Sequence, residues 1–211
     1  MTPKQEYYAL AAASVIEQLA RRQMQGYYCA DRQAALRQAL ALMPKGSVVA
    51  HGGSQTIQQI GLLDALRAGE HQFIDRETVK GEAAQRQLHA QIFLADSYVM
   101  SSNAITLDGE LVNIDARGNR VAMLCYGPAQ VIVIMGMNKL APDLDSAISR
   151  ARNLAAPPNA LRLSRKTPCV HVGHCRDCYN ADSICSQILI TRRSGEPGRI
   201  KVILVGEELG Y

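Results

Sequence analysis

Apolar residues recur at helical spacing over residues 4–24, at Ala11, Val15, Ile16, Leu19 and Met24, with Glu17, Arg21 and Arg22 elsewhere. That spacing predicts an amphipathic helix, and Gly26 ends it. Asp31 is a good N-cap type and opens a second helix through Met43, with Leu36 and Leu40 on one face. Pro44-Lys45-Gly46 is a turn. Ser47-Val48-Val49-Ala50 is short and β-branched, the mark of a buried strand, and His51-Gly52-Gly53-Ser54 follows as a loop. Ile57, Ile60, Leu63 and Leu66 then return to helical spacing.

The alternation continues. Gln72–Ile74 and Ser97–Met100 read as strands, and Glu77–Gln91 as a polar surface helix between them. Ile105–Leu107 and Glu110–Ile114 flank Asp108-Gly109, a two-residue hairpin signal. Arg120–Leu124 reads as a further strand. The apolar run Gln130–Met135 suits a strand covered on both faces. Pro142–Ala155 is a helix with Asp143 and Asp145 in its first turn, favourable to the dipole, and Pro157-Pro158 stops it. Strands separated by helices predict an α/β fold with a mostly parallel sheet and an inserted hairpin.

After Pro158 the pattern changes. Residues 159–187 are loop-rich and hold four cysteines. Ile188–Ile190 and Ile200–Val205 are strands, joined as a terminal hairpin or added as a pair to the sheet. The division is then an α/β domain over 1–158, a Cys-rich insertion over 159–187, and terminal strands over 188–211 that return to the α/β domain.

Composition narrows the class. The chain has 211 residues, 47% hydrophobic and 20% charged, ordinary for a globular protein that buries a full core. No window reaches the roughly 18 uncharged apolar residues that span a bilayer. The first residues lack the basic start and apolar middle of a signal peptide. A cytoplasmic protein with reduced thiols is the expectation. Net charge is +4, but residues 161–202 hold eight Lys/Arg against three Asp/Glu. The excess sits around the cysteines, where Arg165, Lys166 and Arg176 can compensate thiolate charge. The chain has no Trp and two Phe, and the basic segment shows no aromatic interleaving beyond Tyr179. A nucleic-acid partner is not expected.

Four segments carry candidate chemistry. Gly52, Gly53 and Ser54 lie between a buried strand and a helix N-terminus, where backbone N–H groups can face an anion; a tight βα turn with a serine cap explains the same residues. The segment matches neither a Walker loop nor G-x-G-x-x-G, so no nucleotide cofactor is expected. Residues 101–120 are dense in Asn, Asp, Ser and Thr. Asn103 follows a strand end, where open α/β sheets place ligands, and Asn113, Asp115, Asn119 and Arg120 add donors and acceptors, although turns use the same residue types. Lys139 follows Gly136 and Asn138 at the end of the long apolar strand; it can neutralise an anion, act as a base if its pKa is lowered, or simply be exposed. The cysteines Cys169, Cys175, Cys178 and Cys185 have the spacing C-x5-C-x2-C-x6-C. Four thiolates suit a tetrahedral zinc or a four-iron (4Fe-4S) cluster. His171 and His174 can replace a thiolate in a zinc site. Buried reduced cysteines or a Cys175–Cys178 disulfide are the alternatives. Cys29 and Cys125 read as small packed hydrophobes.

The strings GGSQTIQQIGLLDAL, SSNAITLDGELVNIDARGNRVAML, GPAQVIVIMGMNKLAPDLDSAISRARNLAAPPNALRL and GRIKVILVGEELGY, with the cysteine segment, resemble the LUD-domain family of the lactate-utilisation type, also called DUF162. The resemblance runs from about residue 4 to 211. It implies the NagB/RpiA/CoA-transferase-like three-layer α/β sandwich. It also implies a pocket built from the Gly52–Ser54 loop, Asn103, Gly109, Asn113, Asp115, Gly118, Asn119, Arg120, Gly136, Asn138 and Lys139. Lactate-utilisation relatives work beside iron–sulfur subunits in oxidising L-lactate to pyruvate, so an iron–sulfur partner protein is implied. One departure stands out: an acidic residue is expected near the Gly-Gly-Ser loop, and this chain has Gln58-Gln59.

Two functions follow. In the first, a small anionic metabolite binds in the pocket, Asp115, Glu110 or Lys139 moves protons, Arg120 clamps a carboxylate, and the cysteines relay electrons for an iron–sulfur oxidoreductase of lactate-type hydroxy acids. In the second, the protein is a non-catalytic binding or assembly module with a structural zinc. A metal-free isomerase or CoA-transferase-like enzyme is a third reading. A homodimer is the oligomer expected from symmetry alone.

Overall fold

The computed structural model describes residues 2–211. In chain order the elements are α1 (Pro3–Arg21), β1 (Gln25–Cys29), α2 (Arg32–Leu42), β2 (Val48–His51), α3 (Gln55–Gln59), α4 (Leu62–Ala68), β3 (Gln72–Ile74), α5 (Glu82–Phe93), β4 (Ser97–Met100), β5 (Ala104–Thr106), β6 (Leu111–Asp115), α6 (Asn119–Cys125), β7 (Gln130–Gly136), β8 (Leu140–Ala141), α7 (Leu144–Arg150), α8 (Ala156–Arg162), α9 (Cys169–Val172), β9 (Gln187–Thr191) and β10 (Ile200–Val205).

Six strands form one parallel sheet in the order β1-β10-β7-β4-β2-β3. The side-chain period of two sends successive residues to opposite faces. On β7, Val131, Val133 and Met135 therefore join the core under α1 and α5, while Ile132 and Ile134 join the core under α2, α3 and α4. This is the three-layer α/β sandwich, mostly parallel, that the sequence pattern and the family resemblance predict. A second, smaller sheet, β8-β5-β6-β9, contains the predicted hairpin: β5 and β6 pair antiparallel. It has its own small core of Ala104, Val112, Ile114, Ala141, Ala147 and Ala151.

Four local expectations are corrected. The predicted strand at Arg120–Leu124 is helix α6, which turns Val121, Met123 and Leu124 inward; a five-residue apolar run fits either period, and the left-handed Gly118 (φ 81°) breaks the chain away from β6. The pair Pro157-Pro158 does not stop the helix. The chain widens into a π turn at Ala151–Ala155 and continues as α8. The prolines fall in the first turn of α8, where missing N–H groups cost little. Strand β1 was not expected from its sequence QGYYC, which lacks alternation. Its Gly26 is needed because a Cβ there would lie 2.8 Å from Ile16 Cγ1 on the helix above. Finally, β9 and β10 do not pair with each other. β9 edges the small sheet beside β6, and β10 enters the middle of the large sheet between β1 and β7.

Three adjacent strands, β2, β4 and β7, therefore end on the same side of the sheet. Their C-terminal connections are the loop at 52–54, the Ser101–Asn103 segment and a 3-10 turn at Met137–Lys139. Open α/β sheets place ligands at such strand ends.

Candidate functional site

A cleft of about 400 Å³ opens at these three strand ends, within the size range of small-molecule sites. Its floor comes from Gly53, Ser54, Thr56, Ser101, Asn103 and Lys139. One wall comes from Asp115, Asn119 and Arg120 at the end of β6 and the start of α6. Arg162, Leu163, Arg165 and Ile184, from the Cys-rich insertion, also line the cleft.

Lys139 is the most unusual group in it. The 3-10 turn after β7 points its side chain inward, leaving the residue 4% exposed. Nζ donates to Thr56 Oγ1 and to Ser101 Oγ, each at 2.9 Å. No carboxylate pairs with it among the described residues. Desolvation, followed by the charges of Arg150 and Arg120, pulls its pKa down to about 7. Both causes act against the charged form.

Arg120, expected as a carboxylate clamp, lines the cleft and is held by hydrogen bonds within the protein. Nη1 donates to the Ser101 carbonyl and to Asn113 Oδ1, and Nη2 to the Ile114 carbonyl at 2.8 Å and Asn103 Oδ1 at 3.3 Å. Nε faces Asp115 Oδ2 at 3.3 Å. A guanidinium has five N–H groups, and these contacts engage all three nitrogens. Arg120 is a part-buried rivet that fixes Asn103, Asn113 and Asp115 relative to one another. Asn103 Oδ1 also accepts from the Ile114 N–H at 2.9 Å. Asn113 lies behind Arg120, fully buried, and its Nδ2 has no protein partner.

The remaining candidates divide. Gly53, Ser54, Asn103, Asp115, Asn119, Arg120 and Lys139 share the cleft. Ser54 caps α3 by accepting from the Ile57 N–H at 3.4 Å. Asn119 Nδ2 donates to His89 Nε2 at 3.2 Å. Gly52 lies beneath: a Cβ there would meet the Tyr98 hydroxyl at 2.8 Å. Gly136 and Asn138 hold the last segment of the chain, since Asn138 Oδ1 accepts from the Leu209 N–H at 3.1 Å. Glu110 is elsewhere, on the β5–β6 hairpin, facing Arg22 at 3.5 Å. Gln59, where an acid was expected nearby, accepts from the Gly210 N–H at 2.7 Å, so a neutral amide ties down the same segment.

The sequence reading missed Thr56, Ser101, Arg76 and Arg150. Thr56 and Ser101 sit inside the two polar stretches it singled out, but nothing in their spacing reveals that one lysine reaches both. Arg76 follows β3; a Cβ on Gly53 would lie 3.7 Å from its Nη1. Arg150, on α7, donates to the carbonyls of Asn103 and Asn138 at 2.6 and 3.0 Å. His51 Nε2 lies 3.2 Å from Asp75 Oδ1 and ties β2 to the segment carrying Arg76.

All four clustered cysteines are free thiols. They are near enough to influence one another: desolvation, then the thiols of Cys175, Cys169 and Cys178, push Cys185 up to about 11. Asn153 anchors the segment by accepting from the Cys175 N–H at 3.3 Å, and Asp182 by accepting from Arg165 and the Lys166 N–H. The donor types fit a thiolate-held metal or cluster. No three His, Cys, Asp or Glu side chains stand at metal-holding spacing among the described residues.

The chain belongs to the LUD domain family, whose sequence model matches residues 12–205. None of the curated proteins compared matches it. Among solved structures it is similar to a DUF162 family protein from Deinococcus radiodurans, at 14% identity and a TM-score of 0.54, covering 94% of this chain and 98% of that one. It also matches, each at 19% identity and a TM-score of 0.37, a D-ribose-5-phosphate isomerase in complex with phospho-erythronic acid and eIF2B beta from Chaetomium thermophilum. The isomerase match covers 54% of either chain, and the eIF2B match 53% of this chain and 43% of the other.

Proposed function

We propose that this LUD-domain protein binds a small anionic metabolite of the lactate or pyruvate class in the cleft and serves an iron–sulfur oxidoreductase system for such hydroxy acids. The observation that carries the first half is Lys139, a buried amine with no carboxylate partner among the described residues, in a cleft lined by five cations (Arg76, Arg120, Lys139, Arg162, Arg165) and two acids (Glu77, Asp115). Asp115 is engaged by Arg120, so it does not offset the other cations of the cleft. A carboxylate entering this space would gain charge-assisted hydrogen bonds and relieve the repulsion among the cations. Asp115 and Lys139 are the cleft groups able to move a proton. Glu110 has no part in this scheme.

The second half rests on the cysteines and on family membership. Cys169, Cys175, Cys178 and Cys185 would hold a four-iron cluster, which supplies one-electron transfer when bound; zinc held by the same thiolates would instead be structural. The exposed basic surface around them, with Arg176 and the fully exposed Tyr179, suits docking of an iron–sulfur partner. Anaerobic purification with metal analysis and an absorption spectrum tests the cluster: colourless, iron-free protein removes the redox role. Calorimetric titration with L-lactate, pyruvate and inorganic phosphate tests the cleft: no heat from any of them removes the anion site.

A further inference from the structure

We infer that Lys139 is a nucleophilic amine that condenses with the carbonyl group of an α-keto acid or aldehyde acid held in the cleft, giving a Schiff base. This rests on the reading of the cleft as an anion site and adds a covalent step to it.

The argument starts from hydrogen-bond bookkeeping around Nζ. An ammonium has three N–H donors; a neutral amine has two and a lone pair. Nζ has two oxygen neighbours, Thr56 Oγ1 and Ser101 Oγ, both at 2.9 Å. Each hydroxyl has a backbone carbonyl in reach of its own proton, Leu209 at 3.4 Å from Thr56 Oγ1 and Ser102 at 3.3 Å from Ser101 Oγ. Towards Nζ both therefore present acceptor lone pairs. The two N–H groups of a neutral amine are satisfied, and its lone pair is left over. A third N–H, which the ammonium would carry, has no acceptor among the described residues. Buried polar groups are normally paired, so the protein's own contacts satisfy the amine and leave the ammonium one partner short.

The surroundings agree. Buried lysines beside other cations are a recognised way of making a nucleophilic amine. Here the cations are Arg150 and Arg120, both pinned by hydrogen bonds to carbonyls and amides of the cleft wall. Burial and these charges lower the Lys139 pKa, which keeps the lone pair available near neutrality. Lys139 also lines the open cleft, so a carbonyl carbon can approach it.

The step balances without any oxidant or reductant. The Nζ lone pair adds to the carbonyl carbon, and the carbonyl π pair moves to oxygen, which takes a proton. One amine hydrogen and one proton from solvent end on that oxygen, relayed by the Thr56 and Ser101 hydroxyls, and the nitrogen keeps its other hydrogen. Water leaves as the carbon–nitrogen double bond forms. The resulting iminium is a buried cation, and a carboxylate on the adjacent carbon neutralises it. That is why an acid, and not a neutral ketone, suits this cleft.

The test uses the full chain. It is incubated with pyruvate or glyoxylate and cyanoborohydride, and the product is analysed by intact mass and peptide mapping. One reduced adduct per chain is expected at Lys139, at least about tenfold faster than at the exposed Lys4, Lys45 or Lys80. Lys139→Arg lacks the nucleophile and should lose the adduct. If that variant fails to fold, mapping of the native chain decides alone. No adduct at Lys139, or adducts spread evenly over the lysines, overturns the inference. Calorimetric pyruvate binding without trapping overturns the covalent step and leaves the anion site standing. Equal trapping of neutral acetaldehyde supports the Schiff base and overturns the anion reading.

Discussion

Thr56 Oγ1 lies 2.9 Å from Lys139 Nζ although 83 positions separate them in the chain. The contact joins helix α3, which follows β2, to the turn after β7, with Ser101 just past the end of β4 as the third member. Three neighbouring strand ends thus share one amine, and the site exists only because those strands are adjacent in the sheet.

Replacing that amine tests its energetic cost. Its folded pKa of about 7 lies below the ordinary 10.5. Between these values the unfolded chain holds a proton that the folded chain has released, so stability rises with pH across the window. In ligand-free buffer Lys139→Met is expected to be more stable than the parent below pH 7, by on the order of 3 kcal/mol. The gain shrinks towards pH 10.5. Urea midpoints measured across that range check both the sign and the window.

Arg120→Lys should be severely destabilising. Lysine cannot reach the Asn103, Asn113 and Asp115 side chains and the Ile114 carbonyl together, and buried acceptors are left unpaired. A loss of about 3–5 kcal/mol is expected, read from urea denaturation. A loss below about 1 kcal/mol would mean that the guanidinium is a ligand clamp and not a rivet.

Gly136→Ala should damage the site through the backbone. A Cβ there would lie 2.4 Å from Asn138 Oδ1, 2.5 Å from the Leu209 nitrogen and 2.6 Å from the Glu207 carbonyl. Two of these are main-chain atoms that cannot swing aside. Overpacking of this kind costs about 1–3 kcal/mol, and it pushes away the segment that carries Tyr211 into the cleft wall. A drop in melting temperature together with weaker anion binding is the expected pair of readouts.

Asp182→Ala should loosen the insertion and spare the core. Asp182 accepts from Arg165 Nη1 at 2.9 Å and from the Lys166 N–H at 2.6 Å. Limited proteolysis should cut faster between residues 165 and 185, with the unfolding midpoint of the α/β layers unchanged. Faster global unfolding would show that the insertion is integral to the domain core.

Much of this architecture was readable from local pattern. The apolar run at 130–135 announced a doubly covered strand, and β7 is one. Asp31 and Asp143 announced helix starts, and both cap by accepting a backbone N–H, at 2.7 Å in each case. The misreadings share a cause. Residues 120–124 and 25–29 are too short for period to separate helix from strand, and tertiary contacts decided: Gly26 against Ile16 in one case, the Arg120 network in the other.

The chain's own pattern of apolar and polar residues determined the α/β class and the stretches rich in polar side chains, because these depend on neighbours within a few positions; the family was legible in the longer strings that resemble it. Which of those side chains meet was decided by strand order alone. β10 lies between β1 and β7, and β4 between β2 and β7; that arrangement depends on contacts between distant segments. It placed Arg120 in a network with Asn103, Asn113 and Asp115, set Glu110 beside Arg22, and gave Lys139 two hydroxyls and no carboxylate among the described residues.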